Sequence, residues 1–160
     1  MRIGVISDTH IKESIKDLPK VILEDFKKVD LILHAGDLVN IAVLDELKEI
    51  AQTKAVVGNM DFPEVERVLA KKEIIKIGGF KIGLIHGYGP PDGLIERIKR
   101  EFEPDVDMVV FGHSHRPVKE SIDGVLFFNP GSPTDKIFSP FNSYGIIEIN
   151  DKIKASIIKL

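Results

Sequence analysis

Apolar and polar positions repeat along this chain with two different periods, and each change of period marks the edge of an element. The short apolar runs "RIGVIS" from Arg2, "DLILHAG" from Asp30 and "KAVVGN" from Lys54 predict buried strands. Between them, "DLPKVILEDFKKV" collects Leu18, Val21, Ile22 and Phe26 on one face, with Pro19 near its start, and "NIAVLDELKEI" collects Val43, Leu44, Leu47 and Ile50. Both predict helices that pack on a sheet, and the alternation is that of βαβ units. After a helical "VERVLAKK", the stretch "EIIKIGGFKIGLIHG" predicts a hairpin through Gly78 and Gly79, and "DGLIERIKREF" a further helix. The remainder reads as strand: "MVVFG", then "PVKESIDGVLFFN" turning at Asp123 and Gly124, then "YGIIEIN" and "KIKASIIKL" split at Asn150 and Asp151. The expectation is an α/β chain with a mixed sheet system and helices outside. No repeat, low-complexity stretch or linker divides it, so residues 1–160 read as a single domain.

The loops that follow the strands carry an unusual set of polar residues. "SDTH" supplies Asp8 and His10, "HAGDL" Asp37, "VGNMD" Asn59 and Asp61, "IHGYG" His86, and "FGHSHRP" both His113 and His115. In open α/β sheets, ligands bind in the crevice beyond the carboxyl ends of the strands. Gly112 is expected to permit the turn that aims His113 and His115 at a common centre. Each residue also has an ordinary explanation as a turn former, a helix cap or a polar loop residue. The joint pattern is what carries weight, because four of the five histidines lie in these loops. His34, inside the apolar "LILHAG", reads instead as a core or supporting histidine, and Asp61 as a loop-fixing carboxylate.

Composition narrows the chemistry. The net charge of -3 is spread along the chain, so no basic face marks a binder of duplex nucleic acid. There is no cysteine, which excludes disulfides, thiolate metal sites and a cysteine nucleophile, and agrees with a reducing cytoplasm. No apolar run approaches the roughly 20 residues that cross a bilayer, so no membrane partner is expected. Any metal must therefore use nitrogen and oxygen ligands, a set that suits Mn, Fe, Zn or Ni rather than Mg alone. Asp8, His10, Asp37, Asn59, His86, His113 and His115 are too many for one tetrahedral ion. They are enough for two ions roughly 3.5–4 Å apart, with Asp37, central in chain order, as the candidate shared carboxylate.

The ordered series "DTH", "GD", "GN-x-D", "HG" and "GHSH", from Asp8 to His115, resembles the calcineurin-like metallophosphoesterase superfamily. The short length and the tail "NPGS" from Asn129 are similar to the small YfcE and Vps29-type branch, close to archaeal minimal phosphodiesterases. The resemblance implies a four-layer α/β/β/α sandwich of mixed sheets. It implies that Asp8, His10 and His115 hold one divalent ion, that Asn59, His86 and His113 hold the other, and that Asp37 bridges, with Mn or Ni favoured and Fe or Zn as alternatives. Asp37, Asn59 and His86 are the residues on which it would rest catalysis, through in-line attack of a metal-bridging hydroxide on a small phosphodiester. The chain departs from the pattern at "GNMD": where many relatives have histidine, Met60 can neither steady a phosphoryl group nor protonate a leaving oxygen. The rival reading is a non-catalytic scaffold of the Vps29 type, against which the full ligand set argues. A nuclease of the same superfamily would need added domains or a basic surface.

Nearly all of the chain is used in the sandwich, so an open site is expected. Tyr88 in "GYGPPDG" is a candidate for stacking on an aryl or nucleobase group, and Arg116 for meeting a phosphate. With no further cation evident near the site, diesters are expected to outperform monoester dianions. Phe138 and Phe141, in the loop "KIFSPFNSYG", suggest a contact surface and hence a homodimer.

Overall fold

Two five-stranded sheets face each other in the computed structural model, which describes residues 1–160. Strand β1 (Arg2–Ile6) leads through helix α1 (Lys20–Phe26) to β2 (Leu31–His34), and α2 (Ile41–Ile50) leads on to β3 (Gln52–Ala55). These three strands are parallel, with Ile3 opposite Leu31 and Leu31 opposite Gln52. Helix α3 (Pro63–Glu66) precedes β4 (Lys72–Ile77) and β5 (Phe80–Ile85), and α4 (Leu94–Lys99) precedes β6 (Met108–Val110), β7 (Val118–Ile122) and β8 (Val125–Asn129). The chain closes with β9 (Ser143–Ile149) and β10 (Ile153–Lys159), which return antiparallel to the first sheet. The sheet orders are β10-β9-β1-β2-β3 and β4-β5-β6-β8-β7.

The period-two alternation of the strands decides the layers. Ile3 and Val5 of β1, with Leu31 and Leu33 of β2, point between the sheets and meet Ile82, Leu84, Met108 and Val110 of the second sheet. Ile6 and Ile32, on the opposite face, pack against Ile22 and Phe26 of α1 and Val43, Leu44 and Leu47 of α2. On the far side, Leu94 and Ile98 of α4 cover Val109, Phe111 and Phe127. The result is the expected α/β/β/α sandwich. Phe26 is fully buried, which contributes about 2–3 kcal/mol. Its ring reaches the sheet because residue 4 is glycine: a Cβ there would lie 2.5 Å from a ring carbon.

Both anticipated hairpins turn through consecutive left-handed residues, Gly78 and Gly79 (φ 58° and 87°) and Asp123 and Gly124 (50° and 84°). Two elements differ from expectation. β3 stops at Ala55 instead of running to Asn59, because Val57 donates to the Ala70 carbonyl and Gly58 to the Asp61 carboxylate, which takes this backbone out of the ladder. The helix expected over Val65–Lys72 is instead α3, shifted toward the N-terminus by Pro63 in its first turn, and Lys72 already begins β4. No helix is long and apolar enough to cross a membrane.

Candidate metal centre

The carboxyl ends of β1, β2, β3, β5 and β6 open on one edge, and there the backbone is strained. Asp8 (φ 53°), His10 (48°), Asp37 (58°), His113 (71°) and His115 (56°) are all left-handed. Non-glycine residues adopt this region at a cost of roughly 1 kcal/mol or more, and such strain gathers at functional sites. Hydrogen bonds enforce it: the Asp8 amide donates to the Gly36 carbonyl and that of His10 to the Asp37 carbonyl, both at 3.0 Å. The buried Asp61 carboxylate accepts from the amides of Asp37 (3.2 Å), Val39 (2.5 Å) and Gly58 (2.7 Å), stapling the loop after β2 to the loop after β3. Burial, with the Asp37 charge nearby, pushes the Asp61 carboxyl above its ordinary range despite those donors.

Gly112 acts otherwise than anticipated. The turn is made by His113 and His115, and Gly112 is not left-handed. What requires glycine there is proximity, since a Cβ would stand 1.8 Å from Ser7 Oγ and 2.8 Å from Asp8 Oδ2. This close approach lets the His113 amide donate to both Asp8 oxygens, at 3.2 and 3.0 Å.

The loops bring the seven candidate ligands into two touching groups. In the first, His115 Nε2 lies 3.3 Å from Asp8 Oδ1 and 3.3 Å from His10 Nε2, and His10 Nε2 lies 3.7 Å from Asp37 Oδ2. One ligand atom from each of Asp8, His10, Asp37 and His115 falls within 4.8 Å of all the others. In the second, Asn59 Oδ1 stands 3.1 Å from His86 Nε2 and 3.0 Å from His113 Nδ1. Asp37 Oδ2 touches this group as well, 3.4 Å from His86 Nε2.

The remote ring nitrogens show what the near ones are for. His86 Nδ1 faces the Ala35 carbonyl at 2.7 Å, His113 Nε2 faces the Gly89 carbonyl at 2.6 Å, and His115 Nδ1 faces Asp135 Oδ2 at 2.7 Å. Each partner is a pure acceptor, so the proton of the neutral ring sits on that remote nitrogen and the near nitrogen turns a lone pair inward. In the second group two such lone pairs meet the amide oxygen of Asn59. Acceptors gathered without a proton to share are stable around a cation, and the donor set fits a divalent ion. The field agrees. Burial opposes charge on His86 and His115, yet the Asp37 and Asp8 carboxylates outweigh it, raising His86 above its usual range and lifting His115, with help from Asp135, to about 9. Asp37, although buried, is held below the ordinary carboxylate range by His86 and the Met60 amide.

Residues behind the ligands support them. His34 is fully buried, with Nδ1 accepting from the Gly36 amide at 3.2 Å and Nε2 facing Thr9 Oγ1 at 3.1 Å. The "NPGS" stretch ties the sheets together: Asn129 Nδ2 donates to the Gly112 carbonyl at 2.8 Å, and Ser132 Oγ to the Asp8 carbonyl at 2.7 Å. Asp135, which orients His115, was not singled out from the sequence. It lies in a polar loop 20 residues beyond its partner, where an aspartate looks like any turn former.

An open cleft above the ligands is lined by Met60, Pro91, Arg116, Ile137 and Phe138. Tyr88 does not line it. Its hydroxyl donates to Glu101 at 3.0 Å in a neighbouring groove, which Tyr88 lines together with Asn59 and His86. Arg116 does face the cleft, as its candidate role at a phosphate requires, and it supplies a cation that the expected diester preference had left out. Phe141 is half-buried under the Lys159 ammonium, 4.9 Å from the ring centre, and offers no contact surface, whereas Phe138 is exposed.

The calcineurin-like phosphoesterase superfamily domain matches residues 1–152. The probable metallophosphoesterase MJ0623 of Methanocaldococcus jannaschii is 40% identical over 163 positions, spanning 100% of this chain and 82% of that protein. The phosphodiesterase MJ0936 of the same organism is 29% identical over 144 positions, 82% of this chain and 83% of its own. Among solved structures, wild-type Vps29 of Entamoeba histolytica complexed with Zn2+ is similar with a TM-score of 0.74 and 28% identity, over 99% of each chain.

Proposed function

Because the chain belongs to the calcineurin-like phosphoesterase superfamily, we propose that it is a metal-dependent phosphodiesterase working at the two ligand groups that meet at Asp37. The observation that carries this is one oxygen: Asp37 Oδ2 lies 3.7 Å from an imidazole of one group and 3.4 Å from an imidazole of the other. Asp8, His10 and His115 would hold one divalent ion and Asn59, His86 and His113 a second, with Asp37 common to both. The imidazole-rich set favours Mn or Ni, with Fe or Zn as alternatives. Divalent ions bound there supply charge neutralisation at phosphoryl oxygens and a lowered pKa for water.

The chain's own residues do the rest. Asp37 keeps the two groups at a set separation, and the carbonyls of Ala35 and Gly89 with Asp135 hold three rings in the tautomer that presents a lone pair. Arg116 can donate charge-assisted hydrogen bonds to a non-bridging oxygen. Met60 supplies no proton to the leaving oxygen, so departure depends on the intrinsic stability of the leaving group.

The likeness to Vps29 favours a second reading, a component of a protein assembly. That Vps29 is itself complexed with zinc, so metal binding alone does not separate the two readings. Turnover does. Protein stripped by chelation should not hydrolyse bis-nitrophenyl phosphate, and added Mn or Ni should restore hydrolysis better than Mg. Metal-loaded protein without turnover on any diester would favour the scaffold.

A further inference from the structure

We propose that Ile137 and Phe138 form the seat for an aryl ester group, so that the protein selects phosphodiesters carrying an aromatic ring bonded through oxygen to phosphorus. This rests on the phosphodiesterase reading and adds a substrate class to it. Ile137 is 81% exposed and Phe138 69%, two large apolar side chains side by side in water. The loop that carries them is tightly held. The Asp135 carboxylate accepts from the amides of Ile137 (2.9 Å), Phe138 (3.0 Å) and Ser139 (2.9 Å), and Asn142 Nδ2 donates to the Asp135 carbonyl at 2.5 Å. An apolar surface fixed in advance binds without the cost of ordering it.

Its position says what it binds. The Phe138 ring stands edge-on to His115, with ring centres 6.0 Å apart, so apolar surface begins one ring's width from a candidate ligand. A group esterified directly to a phosphorus above the ligands would reach that surface. Its phosphoryl oxygens would stay over the polar floor near Arg116, whose guanidinium has no acidic partner within ion-pair distance. Met60 lines the same cleft, and its thioether suits the edge of an aromatic ring.

The test compares benzylphosphonate, whose methylene stands in for the bridging ester oxygen, with methylphosphonate by calorimetric titration into the manganese-loaded full chain, and neither can be hydrolysed. Covering one face of a phenyl ring should give an affinity ratio of about tenfold. In the double variant Ile137→Asn, Phe138→Ala the ratio should fall to about two, and in Phe138→Tyr, which keeps a ring, it should persist. Should the double variant fold poorly, Ile137→Asn alone, at a position without core contacts, should still lower the ratio about threefold. Equal affinities in the wild type, or an undiminished ratio in the variants, overturn the proposal. So does self-association in sedimentation that Ile137→Asn abolishes and benzylphosphonate does not, which would make the surface a contact between two copies. An aryl preference without turnover of any diester upholds this inference and defeats the hydrolase reading, and turnover without an aryl preference does the reverse.

Discussion

Nδ1 of His115 donates to Oδ2 of Asp135 at 2.7 Å, while the other nitrogen of the ring stands 3.3 Å from the Asp8 carboxylate. Asp135 therefore strengthens the ring as a base toward a proton and toward a metal alike. With burial opposed and overcome by Asp8 and Asp135, the metal-free ring keeps its proton up to about pH 9. Metal binding must release that proton, so affinity should climb with pH up to about 9, by at most about tenfold per unit for this one proton. In Asp135→Asn the proton competes less, which masks the loss at neutral pH. At pH 9 and above the variant should bind Mn about 10–100-fold more weakly. Titration at the two pH values checks both statements.

Asp37 is left-handed, so asparagine, which tolerates that region, is the substitution that keeps the loop while removing the charge. Asp37→Asn should lower turnover of a nitrophenyl diester by at least about 100-fold and shift the unfolding temperature by only a few degrees. Asn59→Ala, which removes the oxygen lying 3.1 and 3.0 Å from His86 and His113, should behave likewise. An unchanged rate in either variant would overturn the proposed role of that residue.

Met60 is half-exposed on the cleft wall, next in sequence to Asn59. Without a proton donor there, rates across a series of aryl diesters should fall steeply as the leaving phenol becomes more basic. Met60→His should flatten that dependence and favour poorer leaving groups. Because Arg116 faces the cleft, charge no longer disfavours monoesters in the way the sequence alone suggested. Arg116→Ala should raise KM for a nitrophenyl monoester dianion about tenfold, and for the matched diester less.

His34 sets a pH limit on stability. Burial pulls its imidazole from an ordinary 6.5 down to about 4, only partly countered by Asp8. Below pH 6.5 the unfolded chain takes up a proton that the folded ring refuses, so stability falls as pH drops from about 6.5 to about 4, and this residue contributes no slope above 6.5. The loss is at most about 1.4 kcal/mol per pH unit, or roughly 3 kcal/mol across the window. His86 and His115, both raised, act with the opposite sign. The difference in denaturant midpoints between wild type and His34→Gln, at pH 7.5 and 4.5, therefore isolates the effect.

A methyl group at residue 112 would meet Ser7 Oγ at 1.8 Å and the Ala35 carbonyl at 3.0 Å. Gly112→Ala should accordingly cost about 3 kcal/mol or more in chemical denaturation, well beyond an ordinary overpacked site. It should also weaken metal binding, because the clash falls on the residue beside Asp8.

The order of strands and helices was legible in the chain because burial imposes periods of 2 and 3.6 on it, and Ile3, Val5, Leu31 and Leu33 alternate with Ile6 and Ile32 as a sheet covered on both faces requires. The candidate ligands were legible too, since strand ends are where such a fold can spare polar residues. Local pattern could not say that β3 would leave its ladder at Ala55, for that follows from a bond to Ala70 in a later segment. Nor could it show that Asp135 orients His115, which two loops the Asp61 carboxylate joins, or that the Tyr88 hydroxyl donates to Glu101. Each of these rests on a contact between residues far apart along the chain, and such contacts leave no period behind. Sequence alone determined which side chains are available for chemistry. Which lone pairs face one another, and which apolar groups stand over them, was decided by the packing of two sheets face to face.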